Sequence, residues 1–273
     1  MNPETTKGAK PIGGARSEAE VAEKVRAMFD SIAPKYDLLN HLLSGSMDRV
    51  WWWRAAKTFD AILKKPEARV LDLCCGTGDM TLALLRRRPG LHADAGEKVI
   101  ALDFSQPMLV RGVQKFRAAG YADAVEPMQA DAMHLPLPDA SVDLVVSAFG
   151  FRNLANYDGA LRELHRVLKP GGQIGILEAN QPSGPLGKLY LVYFERILPW
   201  IGRKISGSDG AYGYLPASVA RFPQPPKMLG RMEQAGFSDA TWTFSPRART
   251  PCTSIRSPAS RVRREREQAR TRS

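Results

Sequence analysis

Between Arg69 and Glu178 the chain alternates short apolar runs with stretches of helical period. Arg69-Val-Leu-Asp-Leu-Cys-Cys75, Lys98-Val-Ile-Ala-Leu-Asp103, Val125–Gln129, Val142–Phe149 and Gln173–Glu178 read as strands. Helical character covers Asp79–Arg88, Gln106–Ala118 and Asp158–Leu168. Lys169-Pro-Gly-Gly172 reads as a turn, because Pro and paired Gly interrupt regular structure. Strands alternating with helices at this spacing predict an α/β fold. Its sheet should be doubly wound, mostly parallel and covered on both faces, with right-handed crossovers.

The flanks are helical. Glu18–Asp30 places Val21, Val25, Met28 and Phe29 on one face, and a second helix is expected over Asp48–Phe59. Trp51, Trp52 and Trp53 cannot all face one side of that helix, so at least one aromatic should sit at a pocket or an interface. After the fifth strand a helical insertion is expected at about 182–223, containing the apolar stretch Leu186–Arg203. A last helix, Lys227–Ala235, should stop at Gly236 as its C-cap, and Ala240–Phe244 begins like a strand. Residues 1–17 read as disordered, 18–244 as one domain, and 245–273 as an atypical Arg-rich tail.

Composition changes this picture in three places. No run of about 18 uncharged apolar residues is present, and the polar N-terminus lacks the apolar centre of a secretory signal. A cytoplasmic protein is expected. Cys74, Cys75 and Cys252 are too few and too poorly spaced for a disulfide framework or a zinc site, so the adjacent pair reads as packing and no metal is expected. The net charge of +11 would suit nucleic acid, but nine Arg against two Glu lie between Pro246 and Ser273. The basicity belongs mostly to the tail, and no nucleic-acid groove is expected.

Candidate chemistry lies at the strand tips. In open parallel sheets, ligands bind at the carboxyl ends of the strands near the switch in strand order. The first strand ends in Asp72-Leu-Cys-Cys-Gly76-Thr77-Gly78-Asp79, a glycine loop opening a helix. A dinucleotide needs Gly-x-Gly-x-x-Gly with pyrophosphate on the helix N-terminus. Here Thr81 replaces the third glycine and Asp79 puts an anion where phosphate would sit. S-adenosylmethionine (SAM) has no phosphate, and it carries an ammonium and a cationic sulfur. Asp72 and Asp79 suit it. Asp103 ends the second strand, where a carboxylate can accept from both ribose hydroxyls. Asp131-Ala132 follows the third strand, where the adenine amino group could donate, and Ser147 lies near the end of the fourth, beside the methyl position. One aspartate alone could be a helix cap. Three at successive strand ends beside a glycine loop point to a nucleoside.

At these residues the chain resembles class I SAM-dependent methyltransferases. More narrowly, it resembles the UbiE/MenG family of C-methyltransferases of ubiquinone and menaquinone biosynthesis. The resemblance runs from about Val25 to Thr243. It rests on Phe29-Asp-Ser-Ile-Ala-Pro-Lys-Tyr-Asp-Leu-Leu-Asn40, Val70–Asp79, Phe149-Gly-Phe-Arg-Asn153, Arg166–Gly172 and Tyr212-Gly-Tyr-Leu215. The glycine loop and the Lys-Pro-Gly-Gly turn mark the class, while the first segment and Phe-Gly-Phe-Arg-Asn are more specific. The resemblance implies SAM contacts at Thr77, Asp103, Asp131, Ala132 and Ser147 and a substrate-side role for Tyr36, Arg152 and Asn153. His134 stands where the family usually has another residue, so His134, His41, His92 and His165 read as surface or packing residues.

The implied substrate is a polyprenylated quinol: a demethylmenaquinol, a 2-methoxy-6-polyprenyl-1,4-benzoquinol, or both. Arg152 would hold the quinol oxyanion or order a water that takes its proton, and Asn153 and Tyr36 would orient the ring. Leu186–Arg203 is a candidate lid, with Lys188, Arg196, Arg203 and Lys204 available to anionic headgroups. That stretch suits a peripheral contact on the inner face of the membrane, or equally a core or homodimer helix. Family members usually close the sheet with a last strand. Here Pro246, Pro251 and Pro258 disfavour one, and the loss of resemblance after Thr243 with a jump in Arg suggests a reading-frame change. Competing readings are another lipid or aromatic acceptor, an RNA-binding protein or RNA methyltransferase using the tail, and a NAD-linked oxidoreductase opposed by Thr81 and Asp79.

Overall fold

The computed structural model describes residues 17–37, 47–88, 97–179, 210–244 and 252–258. Its centre is β1 (Val70–Leu73), a strand buried at every residue. Such a strand must be covered on both faces, which is why it reads as an apolar run broken only by Asp72. It pairs in parallel with β2 (Val99–Asp103) on one side and β4 (Val142–Ala148) on the other, Val70 standing opposite Val99 and Leu144. β3 (Val125–Gln129) continues in parallel beyond β2, and β5 (Leu168–Ala179) beyond β4. The order is β3-β2-β1-β4-β5-β7-β6. Strand order therefore reverses between β1 and β4, and a ligand crevice is expected at their carboxyl ends.

Alternation along the strands divides the core. Val70, Val99, Ala101, Leu144 and Val146 face one layer with Phe59 and Leu63, packed by α2 (Asp48–Thr58), α3 (Asp60–Leu63), α4 (Asp79–Leu85) and α5 (Gln106–Ala118). Leu71, Leu73, Ile100, Val145, Ile174 and Ile176 face the other, packed by α6 (Tyr157–Val167) and α8 (Pro225–Ala235). The helices start where their caps allow. Ser105 accepts from Met108 N at 3.4 Å, and Asn156 accepts from Gly159 N at 3.0 Å. Gly236 ends α8 in the left-handed conformation (φ 109°), as expected.

The N-terminal helix α1 (Glu18–Ile32) buries Val21 and Val25 against Tyr214 of α7 (Gly210–Arg221), with Met28 and Phe29 partly buried beside them. On α2, Trp51 and Trp52 are buried, whereas Trp53 is 49% exposed. Trp51 lies 5.7 Å from Phe149 at the tip of β4, so one of the three indoles reaches the crevice rim. Leu186–Arg203 lies outside the described residues. Among those described, no helix is long and apolar enough to cross a membrane.

Two expectations are corrected. Lys169-Pro-Gly-Gly172 is not a separate turn. Leu168 pairs with Val142 and Gln173 with Leu144, so the four residues are a bulge inside β5 opposite Asp143. Nor is the sheet left without its closing strand. β7 (Cys252–Pro258) runs antiparallel between β5 and β6 (Thr241–Phe244), with Ala179 opposite Cys252 and Gln173 opposite Pro258. The prolines permit this because Pro251 precedes the strand and Pro258 is its last residue. Neither removes a donor from the strand interior.

Candidate active site

The crevice floor is the loop from β1 to α4. Cys74, Gly76 and Gly78 take left-handed φ values of 56°, 55° and 85° and turn the chain sharply into α4. A Cβ on Gly78 would come within 2.2 Å of the Phe116 ring, so glycine is needed there for α5 to pack. A Cβ on Gly76 would meet only the Tyr36 ring edge, at 3.9 Å. The loop therefore keeps an open face beside Tyr36.

The carboxylates expected to line this crevice divide into two kinds. Asp103 Oδ2 accepts from Gly76 N at 2.7 Å and Oδ1 from Ser105 N at 2.9 Å, which ties the β2 tip to the glycine loop. Burial raises its pKa despite these bonds, with Asp30 adding repulsion. Each oxygen keeps a lone pair for a further donor. Asp131 is 39% exposed; Oδ1 accepts from Met133 N at 2.9 Å, and Oδ2 lies 3.6 Å from the exposed His134. Asp72 differs. It is wholly buried, and Oδ2 accepts from Thr81 Oγ1 at 2.5 Å. Burial pushes its pKa up to about 7. With no accessible surface it braces the loop against α4 from below, whereas the sequence reading placed it on the ligand. Asp79, also expected to face the ligand cation, is matched instead by Lys115, whose Nζ stands 3.0 Å from Asp79 Oδ1 and 2.9 Å from Asp37 Oδ2. Thr77 Oγ1 joins this cluster through Asp37 and Lys115. Ala132 and Ser147 are buried at the tips of β3 and β4, and the Ser147 hydroxyl has no hydrogen-bond partner among the described residues.

Beyond β4 the chain makes a one-turn 3-10 helix, Phe151–Asn153. Gly150 lets this turn press on the β1 loop, since a Cβ there would fall 2.3 Å from that of Cys74. Arg152 is consequently buried, its Nη1 2.6 Å from Glu178 Oε2 and its own N–H 3.0 Å from Glu178 Oε1. Burial opposes the guanidinium charge, but Glu178 outweighs it and holds the pKa above the ordinary value. Tyr36 packs edge-on to Phe29 at 6.1 Å and lies within electrostatic range of Arg152. Asn153 Oδ1 is buried without a hydrogen-bond partner among the described residues. Tyr36, Arg152 and the glycine loop are thus brought to one side of the crevice.

The remaining candidates are packing groups. Burial pushes the free thiols of Cys74 and Cys75 well above their usual range. His165 is buried with its ring 5.3 Å from Phe237, while His41 and His92 lie outside the described residues. Among the described residues, no group of three or more His, Cys, Asp or Glu could hold a metal ion.

The model of the ubiE/COQ5 methyltransferase family matches residues 17–245. The chain belongs to this family. A demethylmenaquinone methyltransferase of Thermus thermophilus is 48% identical over 77% of this chain and 91% of its own length. A ubiquinone/menaquinone biosynthesis C-methyltransferase UbiE of Geotalea daltonii is 40% identical over 81% and 90%. A solved SAM-dependent methyltransferase of Thermotoga maritima superposes with a TM-score of 0.60 at 19% identity, covering 86% of this chain and 99% of that one. This last likeness shows the fold alone.

Family and fold imply SAM, and the crevice of this ubiE/COQ5 methyltransferase fits it. Gly76 is open on one face, Asp103 has acceptor capacity beside it, and the buried Ser147 hydroxyl is unpartnered. Sequence reasoning missed Asp37, Lys115 and Glu178. Asp37 and Glu178 lie inside motifs or strands already singled out, but nothing local marks Lys115. It meets Asp79 from 36 residues away.

Proposed function

We propose that this methyltransferase places a methyl group on a ring carbon of a polyprenylated quinol. Demethylmenaquinol would give menaquinol, and 2-methoxy-6-polyprenyl-1,4-benzoquinol is the alternative acceptor. The observation that carries this is the buried Arg152–Glu178 pair beside Tyr36, at the rim of the open glycine loop. SAM, when bound, supplies an electrophilic methyl group. Asp103 would hold its ribose hydroxyls, Asp131 and Ala132 its adenine, and the main chain at Gly76–Gly78 with Thr77 and Ser147 the remainder.

The protein's own task is to make the quinol carbon nucleophilic and keep it in place. A quinone ring is electron-poor, whereas a quinol that loses a hydroxyl proton pushes charge onto the adjacent carbon. A guanidinium held protonated by Glu178 is a fixed positive group for that oxyanion, and it needs little reorganisation because its position is already set. Arg152 Nε has no hydrogen-bond partner among the described residues, and a donor left unmatched there suits the substrate oxygen. Tyr36 and Asn153 orient the ring, and the apolar rim at Trp51 and Phe149 excludes water. As the carbon takes the methyl group the methyl–sulfur bond breaks and S-adenosylhomocysteine would be left, after which a water ordered by Arg152 would take the ring proton and the quinol would become aromatic again.

Such a substrate lives in a bilayer, and α2 offers a surface for reaching one. Trp53 is half exposed with Lys57 Nζ 5.1 Å from its ring centroid, and Arg49 and Arg54 are exposed on the same helix. An amphipathic aromatic ringed by cations suits the headgroup region of an anionic membrane. The direct test is incubation with labelled SAM and a short-chain demethylmenaquinol, with a benzoquinol precursor in parallel. Label in a ring-methylated product is expected, and transfer to neither acceptor overturns the proposal.

A further inference from the structure

A second polar group lies close to Arg152. Tyr214 and Arg221 are seven residues apart on α7, two helical turns, and share one face. The Tyr214 ring is buried against Val21 and Val25 of α1. Its hydroxyl is buried and faces the Arg221 guanidinium without completing a well-formed bond, and the guanidinium carbon stands 5.7 Å from the ring centroid. Arg221 Nε and Nη2 are buried and make no hydrogen bond among the described residues, as is true of Arg152 Nε. Tyr157 links the two groups, its hydroxyl donating to Arg152 O at 3.0 Å and its ring lying 5.7 Å from that of Phe222, the residue after Arg221. Arg152 is paired with Glu178, whereas Arg221 leaves Nε and Nη2 unmatched among the described residues. Buried donors are nearly always satisfied, so several unsatisfied together point to an acceptor that arrives with a ligand.

We propose that Tyr214 and Arg221 form a second oxygen subsite of the acceptor pocket. It takes the hydroxyl para to the one held by Arg152, and so selects aromatic 1,4-diols over monophenols. The inference rests on the quinol reading above. The para hydroxyl accepts from Arg221 while Tyr214 fixes its direction. A site built to hydrogen-bond a hydroxyl rejects the analogue lacking it, because its own donors are then left buried and unpaired.

The test compares binding of 1,4-dihydroxynaphthalene and 1-naphthol to the full chain by anaerobic calorimetry, with S-adenosylhomocysteine affinity as the check on folding. The wild type should prefer the diol by about tenfold or more, and Arg221→Met and Tyr214→Phe should each shrink that preference. No preference in the wild type overturns the subsite, and so does a preference that survives Arg221→Met with S-adenosylhomocysteine binding intact. Should Arg221→Met fail to bind S-adenosylhomocysteine, Tyr214→Phe decides, and an unchanged preference there also overturns it. Methyl transfer is measured separately. A wild type that prefers the diol but methylates no demethylmenaquinol removes the quinol reading and leaves the subsite standing.

Discussion

Arg152 is held twice by Glu178, once through its guanidinium at 2.6 Å and once through its own backbone N–H at 3.0 Å. One carboxylate therefore sets both the charge and the position of the residue assigned to the substrate oxygen. Because both partners are buried, removing one leaves the other uncompensated. Glu178→Ala should lower stability by about 3–5 kcal/mol, read from urea denaturation. Glu178→Gln keeps an acceptor and should cost less. A mutant as stable as the wild type would show that the pair is not structural.

Arg152→Lys keeps a charge but loses the fork. It should lower kcat by roughly a hundredfold while leaving S-adenosylhomocysteine affinity within about twofold. Equal loss of both would move Arg152 from the acceptor side to the nucleoside side.

Gly76 and Gly78 should respond differently to alanine. At Gly78 the new Cβ meets the Phe116 ring at 2.2 Å on a left-handed backbone, so Gly78→Ala should destabilise by about 2 kcal/mol or more. At Gly76 there is space, and only the left-handed φ costs about 1 kcal/mol. Gly76→Ala should therefore fold yet bind S-adenosylhomocysteine at least about tenfold more weakly, since its Cβ occupies the open face. Calorimetry and thermal melts together separate the two.

Asp72 should leave a mark on the pH dependence of stability. Its folded pKa is raised from 3.8 to about 7, so the folded state binds the proton more tightly than the unfolded chain does. Its stabilising contribution is whole below about pH 4 and is lost as pH rises to about 7, a swing on the order of 4 kcal/mol at most. Asp72→Asn keeps an acceptor for Thr81 and removes the titration. Urea midpoints at pH 5 and pH 8 should differ less in this variant than in the wild type, and an equal difference rejects the assignment.

The outer face of α2 should matter for membranes and not for chemistry. Trp53→Ala with Lys57→Glu should reduce flotation with anionic vesicles by about threefold or more and leave turnover of a detergent-dispersed short-chain quinol unchanged. Unchanged flotation would remove α2 as the contact.

What was legible in the sequence follows from the period of burial. Strands covered on both faces are predominantly apolar, so β1, β2 and β4 stand out as short runs despite Asp72 and Asp143 within them, and their tips mark the crevice. The edge was harder. Composition argued against β7, yet prolines at a strand's ends do not break its ladder. The Lys-Pro-Gly-Gly bulge was read as a turn because local punctuation is the same for both.

The sequence by itself determined the parallel sheet, the glycine loop, the carboxylates at the strand tips and the family, because each is encoded in contiguous residues and their spacing. Only the tertiary structure decided which carboxylates face outward. Asp72 lies beneath the loop, and Asp79 is neutralised by Lys115 from another helix. It also paired Arg152 with Glu178 and set Tyr214 and Arg221 beside them. The reason is physical: whether a charge meets ligand or protein depends on burial and on partners remote in the chain, and neither has a local period.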